Sequence, residues 1–216
     1  MPTTLAQKLY LLCYTVEKEK FQLDNIQGRG QLLRAGAMTE LAREGLLDAT
    51  GGKVRRLPGN PPEDLFTAAV WCDLPEDKPK GWLKFLHDKA HSAETPVRDQ
   101  LLACGDITLT REKKLGVIST DRVTVTHPHL VHDLQDRARS TVLNGAPTEH
   151  LTDELAMAVL AAELELTSVW SKADRRAHKS DLKAHAARFD TLVPGLRKAL
   201  RDSYLASRAV GGGWSA

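Results

Sequence analysis

Hydrophobic residues in the first part of the chain return every three or four positions, the spacing of one helix face. Leu5, Leu9, Leu12 and Cys13 mark a first helix, and a polar loop from Glu17 to Gly30 separates it from a second pattern in QLLRAGAMTELAREGL, Gln31 to Leu46. Gly45 ends that pattern. Two short apolar runs around Gly51-Gly52 in LLDATGGKVRRLPG then predict a two-strand ribbon over Leu46 to Leu57. Asn60-Pro61-Pro62-Glu63 supplies an N-cap, a proline at N1 and an acid at N3 for a helix through Phe66, Val70 and Trp71. Two further helices are expected, one from Lys78 to His91 with Trp82, Phe85 and Leu86 on one face, and one from Pro96 to Cys104 that Gly105 stops.

Beyond Gly105 the period changes from helical to alternating. Ile107 and Leu109, then Leu115 and Val117, then Val123 and Val125 predict a β-hairpin, with Ser119 to Arg122 available as its turn. The remainder is helical. Pro128 to Leu143 is amphipathic, and Thr148 to Trp170 is apolar nearly all round between Leu155 and Leu164, which predicts the buried central helix. Ser180 to Ala206 carries Leu182, Ala186, Phe189, Leu192, Leu196 and Leu200 as one long helix. There is no internal repeat, low-complexity linker or composition step. The expectation is therefore a mainly α chain with a minor β component, one domain over residues 1–210 and a frayed tail over residues 211–216.

One residue breaks the helical pattern. In the second helix Leu33, Ala37, Met38, Leu41 and Ala42 form an apolar arc, and Arg34 stands near its middle. A half-buried guanidinium needs an anion, either a carboxylate within the fold or an external phosphate. The alternative is that Arg34 lies in the first helical turn and snorkels past the core. Other basic residues cluster by segment: Lys53, Arg55 and Arg56 on the ribbon, Arg111, Lys113 and Lys114 on the hairpin, and Lys172, Arg175, Arg176, Lys179 and Lys183 at the opening of the last helix.

With 30 Lys and Arg against 28 Asp and Glu, the net charge of +2 is too small for wholesale nucleic-acid binding, so an anion site has to be local. The three cysteines, Cys13, Cys72 and Cys104, form no CxxC pair and sit among apolar residues. They read as buried thiols in a reducing compartment. The N-terminal segment is too short in apolar residues, and too interrupted by Lys8, to be a signal peptide or a spanning helix, which places any membrane contact on the cytoplasmic face. No GxSxG, P-loop, GxGxxG or HExxH motif occurs, so neither an enzyme nor a cofactor is expected. His127, His129 and His132 in THPHLVH have a spacing open to a metal but no accompanying cysteine or carboxylate motif, and read as a turn and helix start. His178 and His185 read as part of a polar helix face.

The order of an apolar helix, a polar loop, LLRAGAMTELAREGLLD with its GGKVRRL ribbon, a tryptophan-bearing helix, a helix ending in CGDITL and a hairpin closing in VTHP resembles the Golgi phosphoprotein 3 family, which has bacterial members. The resemblance runs from about Leu5 to Leu200. It implies a four-helix bundle wrapped by amphipathic helices with a protruding hairpin. It also implies a peripheral membrane adaptor that binds phosphatidylinositol 4-phosphate and has no catalytic activity. The arginine of the family's second-helix motif falls on Arg34, and its membrane-facing tryptophan falls on Asn25, with Phe21 the nearest aromatic. Its two further arginines fall on His91 and Glu94, and Arg98 lies one helical turn beyond. By resemblance the headgroup set is Arg34, Phe21, Asn25, His91 and Arg98. The hairpin residues Leu115, Val117, Ile118, Val123 and Val125 are the expected interaction element, for lipid or for a second copy.

A second function class shares the same residues. QLLRAGAMTELAREGLL followed by GGKVRRL also reads as a recognition helix and basic wing, with Arg34, Arg43, Lys53, Arg55 and Arg56 on DNA phosphates. The long polar loop before that helix, where a three- or four-residue turn belongs, makes nucleic acid the lesser expectation.

Overall fold

The computed structural model describes residues 2–21, 26–114, 118–145 and 149–211. Helices cover 62% of the chain and the strands are confined to small antiparallel sheets, which settles the class as mainly α. Helix α1 (Leu5–Leu12) starts from a capping box in which Thr4 and Gln7 satisfy one another's backbone N–H. It leads into β1 (Tyr14–Thr15), a 3₁₀ turn (Val16–Lys18) and β2 (Lys20–Phe21), so part of the expected polar loop is a small hairpin with Tyr14 paired to Phe21. The second helix, α2 (Ile26–Arg43), begins well before Gln31. Its end is the predicted one: Gly45 adopts φ +69°, and the Leu46 N–H donates to the Leu41 carbonyl at 2.8 Å in a Schellman stop.

The ribbon is present as β3 (Leu47–Thr50) and β4 (Lys53–Arg56), extended by β5 (Lys80–Gly81) into a three-stranded sheet. Helix α3 (Leu65–Asp73) is capped by Asp64, whose carboxylate accepts from the Thr67 N–H at 2.7 Å, and not by Asn60. The paired prolines hold residues 61–62 extended, which delays the helix. Helix α4 (Trp82–Asp88) starts later than Lys78 because β5 takes Lys80 and Gly81. Helix α5 (Ala90–Ala103) starts earlier than Pro96 and runs through it. Its stop at Gly105, φ +72°, is the predicted one.

The hairpin is β6 (Ile107–Lys114) and β7 (Ile118–Val125). Its register pairs Lys114 with Ile118, so Ser119 to Arg122 lie within β7 and not in the turn. Helix α6 (Pro128–Leu143) matches its expected bounds. Helix α7 (Asp153–Glu163) is buried throughout Leu155–Ala161, as its all-round apolar pattern requires. It ends seven residues before Trp170. Glu165 takes the left-handed position, φ +55°, and the Leu166 N–H donates to the Ala161 carbonyl at 2.9 Å: a Schellman stop built on a glutamate.

A short helix α8 (Lys172–Ala177) follows, and the helix expected over Ser180 to Ala206 is two: α9 (Lys179–Leu192) and α10 (Leu196–Gly211). Pro194-Gly195 separates the last two, and the Trp82 indole N–H donates to the Pro194 carbonyl at 2.9 Å. Gly195 sits at φ +86°, with its Cβ position 2.9 Å from the Trp82 ring. His185 is buried on α9, its Nδ1 2.9 Å from the Asp181 carbonyl, and so is not on a polar face. Cys13 is buried, and desolvation pushes its thiol up to about 12, whereas Cys72 and Cys104 are exposed, contrary to expectation. Cys72 falls on the outer side of α3 and Cys104 at the open end of α5.

A continuous buried cluster runs from Leu5 to Tyr204. At its centre is α2, buried from Gly28 to Leu41 and packed by α1, α3, α5 and α10. Small residues permit this. A Cβ on Gly30 would sit 1.8 Å from the Ala90 carbonyl oxygen, and one on Gly36 would sit 2.7 Å from the Leu9 side chain. At its C-terminal half Arg43 reaches Asp153 at 2.6 Å, and Lys8 reaches the same carboxylate at 2.5 Å, joining α1, α2 and α7.

Glu40 is buried beside that junction, accepting from the Leu5 N–H at 2.8 Å and from the Thr67 hydroxyl at 3.4 Å. Desolvation raises its carboxyl to about 7, against an ordinary 4.5, while the Leu5 N–H and Arg43 oppose the rise. The folded state thus holds this proton more tightly than the unfolded state does. Between the ordinary value and about 7, stability falls as pH rises. In Glu40→Gln, which keeps an acceptor for Leu5, that contribution is removed. Melting curves at steps from pH 5 to pH 8 should show the difference between parent and variant shift in favour of the variant up to about pH 7 and then level off.

Candidate anion-binding face on the central helix

Arg34 lies nine residues into α2, not in its first turn, and is 3% exposed. Its anion is within the fold. Nη1 donates to the Asp73 carboxylate at 3.1 Å, Nη2 donates to the Phe85 carbonyl at 3.2 Å, and the guanidinium carbon stands 4.5 Å from the centre of the Phe85 ring. Burial holds the Arg34 pKa below its ordinary value, while its hydrogen bond to the Asp73 carboxylate works against that shift. Asp73 is the last residue of α3, where the helix dipole disfavours a carboxylate. Cations on two sides offset this. Lys89, at the joint between α4 and α5 and largely exposed, donates to the other Asp73 oxygen at 2.5 Å.

A second cationic cluster sits five residues earlier on the same helix. Arg29 is buried, its Nε donates to the Glu94 carboxylate at 3.1 Å, and its guanidinium lies 5.2 Å from the Phe21 ring centre. Phe21 in turn packs on Tyr10 at 4.7 Å and on Tyr14 at 5.2 Å. The Tyr10 hydroxyl is pushed above its ordinary value by burial first and by Glu94 second, with Arg29 and Arg98 opposing. Arg29, Glu94 and Arg98 therefore share one electrostatic neighbourhood. His91, Glu94 and Arg98 follow at i, i+3 and i+7 on α5, one helix face, with His91 exposed and Arg98 half-buried.

The residues singled out from sequence thus fall into two groups. Phe21 and Arg98, with His91 on the same face of α5, surround the Arg29–Glu94 pair, and Arg34 belongs to the Asp73–Lys89 group. Asn25 lies outside the described residues. The separation along α2 between Arg29 and Arg34 is about 7.5 Å at 1.5 Å per residue. Sequence reasoning passed over Arg29, Asp73 and Lys89. An acid at the C-terminal end of the otherwise apolar LFTAAVWCD was the available signal for Asp73, because such a charge requires a cation. Of the hairpin residues, Val125 is buried in the core and Val123 packs partly against it. Leu115 and Val117 lie outside the described residues, and Ile118 pairs with Lys114 at the end of the ladder.

The geometry removes the recognition-helix reading. A helix buried from Gly28 to Leu41 cannot enter a DNA groove, and on the ribbon Arg55 pairs with Asp48 at 3.0 Å while Arg56 pairs with Glu76 and covers the Trp71 ring. The His127 and His129 rings are 5.8 Å apart, and among the described residues no group of three or more His, Cys, Asp or Glu is placed to hold a metal ion.

The Arg34–Asp73 pair is asymmetric, and that asymmetry is testable. Removing Asp73 strands a buried guanidinium, so Asp73→Ala should cost about 3 to 5 kcal/mol. Arg34→Met should cost less, because Asp73 keeps Lys89 and some solvent while the thioether chain fills the space beside Phe85. Urea denaturation of both variants reads the order directly. A larger loss for Arg34→Met would mean that packing, not charge, governs the position.

No individual curated protein matches the chain in a direct comparison. The family model described as Golgi phosphoprotein 3 (GPP34) matches residues 5–203, which takes in α1 through the first half of α10 and both cationic groups on α2. The chain belongs to the Golgi phosphoprotein 3 family.

Proposed function

We propose that this protein is a non-catalytic adaptor that meets an anionic phospholipid surface with the face where the N-terminal half of α2 packs on α5. The observation that carries the reading is Lys89, 60% exposed and sharing Asp73 with the buried Arg34. An arriving phosphate finds there a cation on a flexible stem, backed by a guanidinium and carboxylate already locked in place. Exposed His91 and half-buried Arg98 extend the same face along α5, and Phe21 supplies an aromatic beside it. Family membership supports the adaptor role, and among the described residues no helix is long and apolar enough to cross a membrane.

By resemblance the ligand is phosphatidylinositol 4-phosphate. In this chain Asp73 and Glu94 already occupy Arg34 and Arg29, so a headgroup competes with internal carboxylates for both α2 arginines. The reading is therefore of an anionic surface on the cytoplasmic side of a membrane, held with modest preference for the 4-phosphate. The hairpin enters as the self-association element: its base, Ile107 and Val125, is anchored in the core, leaving the distal strands to meet a second copy edge to edge.

Flotation with vesicles of phosphatidylcholine alone, with added phosphatidylserine, and with added phosphatidylinositol 4-phosphate tests the lipid assignment. The protein should float with both anionic kinds and not with the neutral one. Lys89→Glu combined with Arg98→Glu should weaken capture by about tenfold or more, at roughly 1 kcal/mol per basic residue at such a surface. Glu94→Gln, which releases Arg29, should increase capture by the phosphoinositide vesicles. Failure of the parent protein to float with either anionic vesicle at physiological salt would remove the lipid reading, and undiminished capture of the double variant would move the site elsewhere. For the hairpin, replacing residues 111–121 by a two-residue Asn-Gly turn should leave the melting temperature close to the parent value and abolish self-association in sedimentation velocity. An unchanged sedimentation profile would separate the hairpin from assembly.

A further inference from the structure

A cleft of about 540 Å³ opens among α7, α8, α9 and α10, and it shares no residue with the α2–α5 face. Its volume is within the range of small-ligand pockets. The floor is aliphatic: Val159 and Ala162 from α7, and Leu182 and Ala186 from α9. The walls are charged, and their balance is uneven. Arg197 is fully answered, donating to Glu163 at 2.7 Å and to Asp190 at 2.6 Å. Glu165, by contrast, is shared by Arg201 at 3.4 Å and Arg175 at 3.9 Å within the cleft, and by Arg208 at 3.4 Å outside it.

Lys179 and Lys183 stand one turn apart on α9 at the exposed rim, and among the described residues neither has a carboxylate within ion-pair distance. The walls therefore carry Arg175, Lys179, Lys183, Arg197 and Arg201 against Glu163, Glu165 and Asp190, a surplus of two positive charges over an apolar floor. A ligand complementary to this arrangement is aliphatic along its length and anionic at one end. The surplus disfavours cationic amphiphiles.

We infer that this cleft binds a single-chain amphiphile with an anionic head, its chain over Leu182 and Ala186 and its head at Lys179 and Lys183. The occupant is distinct in place and in chemistry from the bilayer surface met at α2 and α5.

Isothermal titration of the full chain with dodecanoate, dodecanol and dodecyltrimethylammonium, each below its aggregation concentration, tests the inference. Dodecanoate should bind saturably with a stoichiometry of one, dodecanol about tenfold more weakly, and the ammonium compound not at all. Lys179→Glu with Lys183→Glu should weaken dodecanoate by about tenfold or more, while Ala186→Phe, which fills the floor, should weaken dodecanoate and dodecanol alike. Lys84→Glu, at an exposed position on α4, is the charge control and should change neither. Each variant is melted beside the titration, and Lys179→Glu with Lys183→Glu, both exposed, should keep the parent melting temperature. Equal binding of the anionic and cationic amphiphiles, or undiminished dodecanoate binding by the double lysine variant, would overturn the inference. So would absence of dodecanoate binding up to its aggregation concentration. A short acidic leucine-containing peptide is titrated in the same series, and binding of that peptide without binding of dodecanoate would make the cleft a peptide groove and also overturn the assignment.

Discussion

A guanidinium in the middle of a buried helix cannot persist without a carboxylate, and the Arg34–Asp73 pair is the constraint around which this fold is arranged. To reach Arg34, Asp73 has to sit at the end of α3, and the Phe85 carbonyl and ring have to arrive from α4. These requirements set α3 and α4 against the flank of α2. Lys89 then closes the group from the solvent side, so a structural ion pair and an exposed cation become parts of one network. The network explains how a central helix rich in Gly, Ala and charged residues is tolerated in a core. Its buried charged side chains each find a partner: Arg29 in Glu94, Arg34 in Asp73, and Glu40 in the Leu5 backbone and Thr67.

In the proposed function the internal carboxylates and an incoming phosphate address the same cations. On α5 the carboxylate that holds Arg29 is that of Glu94. What remains open to solvent is the outer layer, Lys89, His91 and Arg98. A phosphate there gains long-range attraction, but the two α2 guanidinium groups, Arg29 and Arg34, are already engaged by carboxylates, which favours a charged surface over one defined headgroup.

Helix termination shows how tertiary contacts overrode local pattern. Glu165 occupies a left-handed position that ordinarily belongs to glycine, at a cost of about 1 kcal/mol or more. Arg175, Arg201 and Arg208 around its carboxylate offset that cost. The stop at α7 is therefore written in residues far along the chain. Gly195 is the complementary case. Its glycine was visible, yet the period of Leu192, Leu196 and Leu200 runs straight across it, and the break is made by Trp82 docking on Pro194 and Gly195.

The sequence by itself determined the helical class, the ribbon, the hairpin, the family, the bounds of α6 and the oddity of Arg34. Each of these rests on periodicity, on a glycine stop such as Gly45 and Gly105, or on a residue type out of place, and all are local properties of the chain. The tertiary structure alone decided that Arg34 meets Asp73, that Arg29 meets Glu94, that Cys72 and Cys104 face solvent, and that α2 and not α7 alone is central. The physical reason is that helical periodicity reads a buried polar residue as an exposed one. Gln31, Arg34 and Glu40 are all buried in α2, and their partners come from α1, α3, α4 and the last helix, at separations that no pattern along a single helix can register.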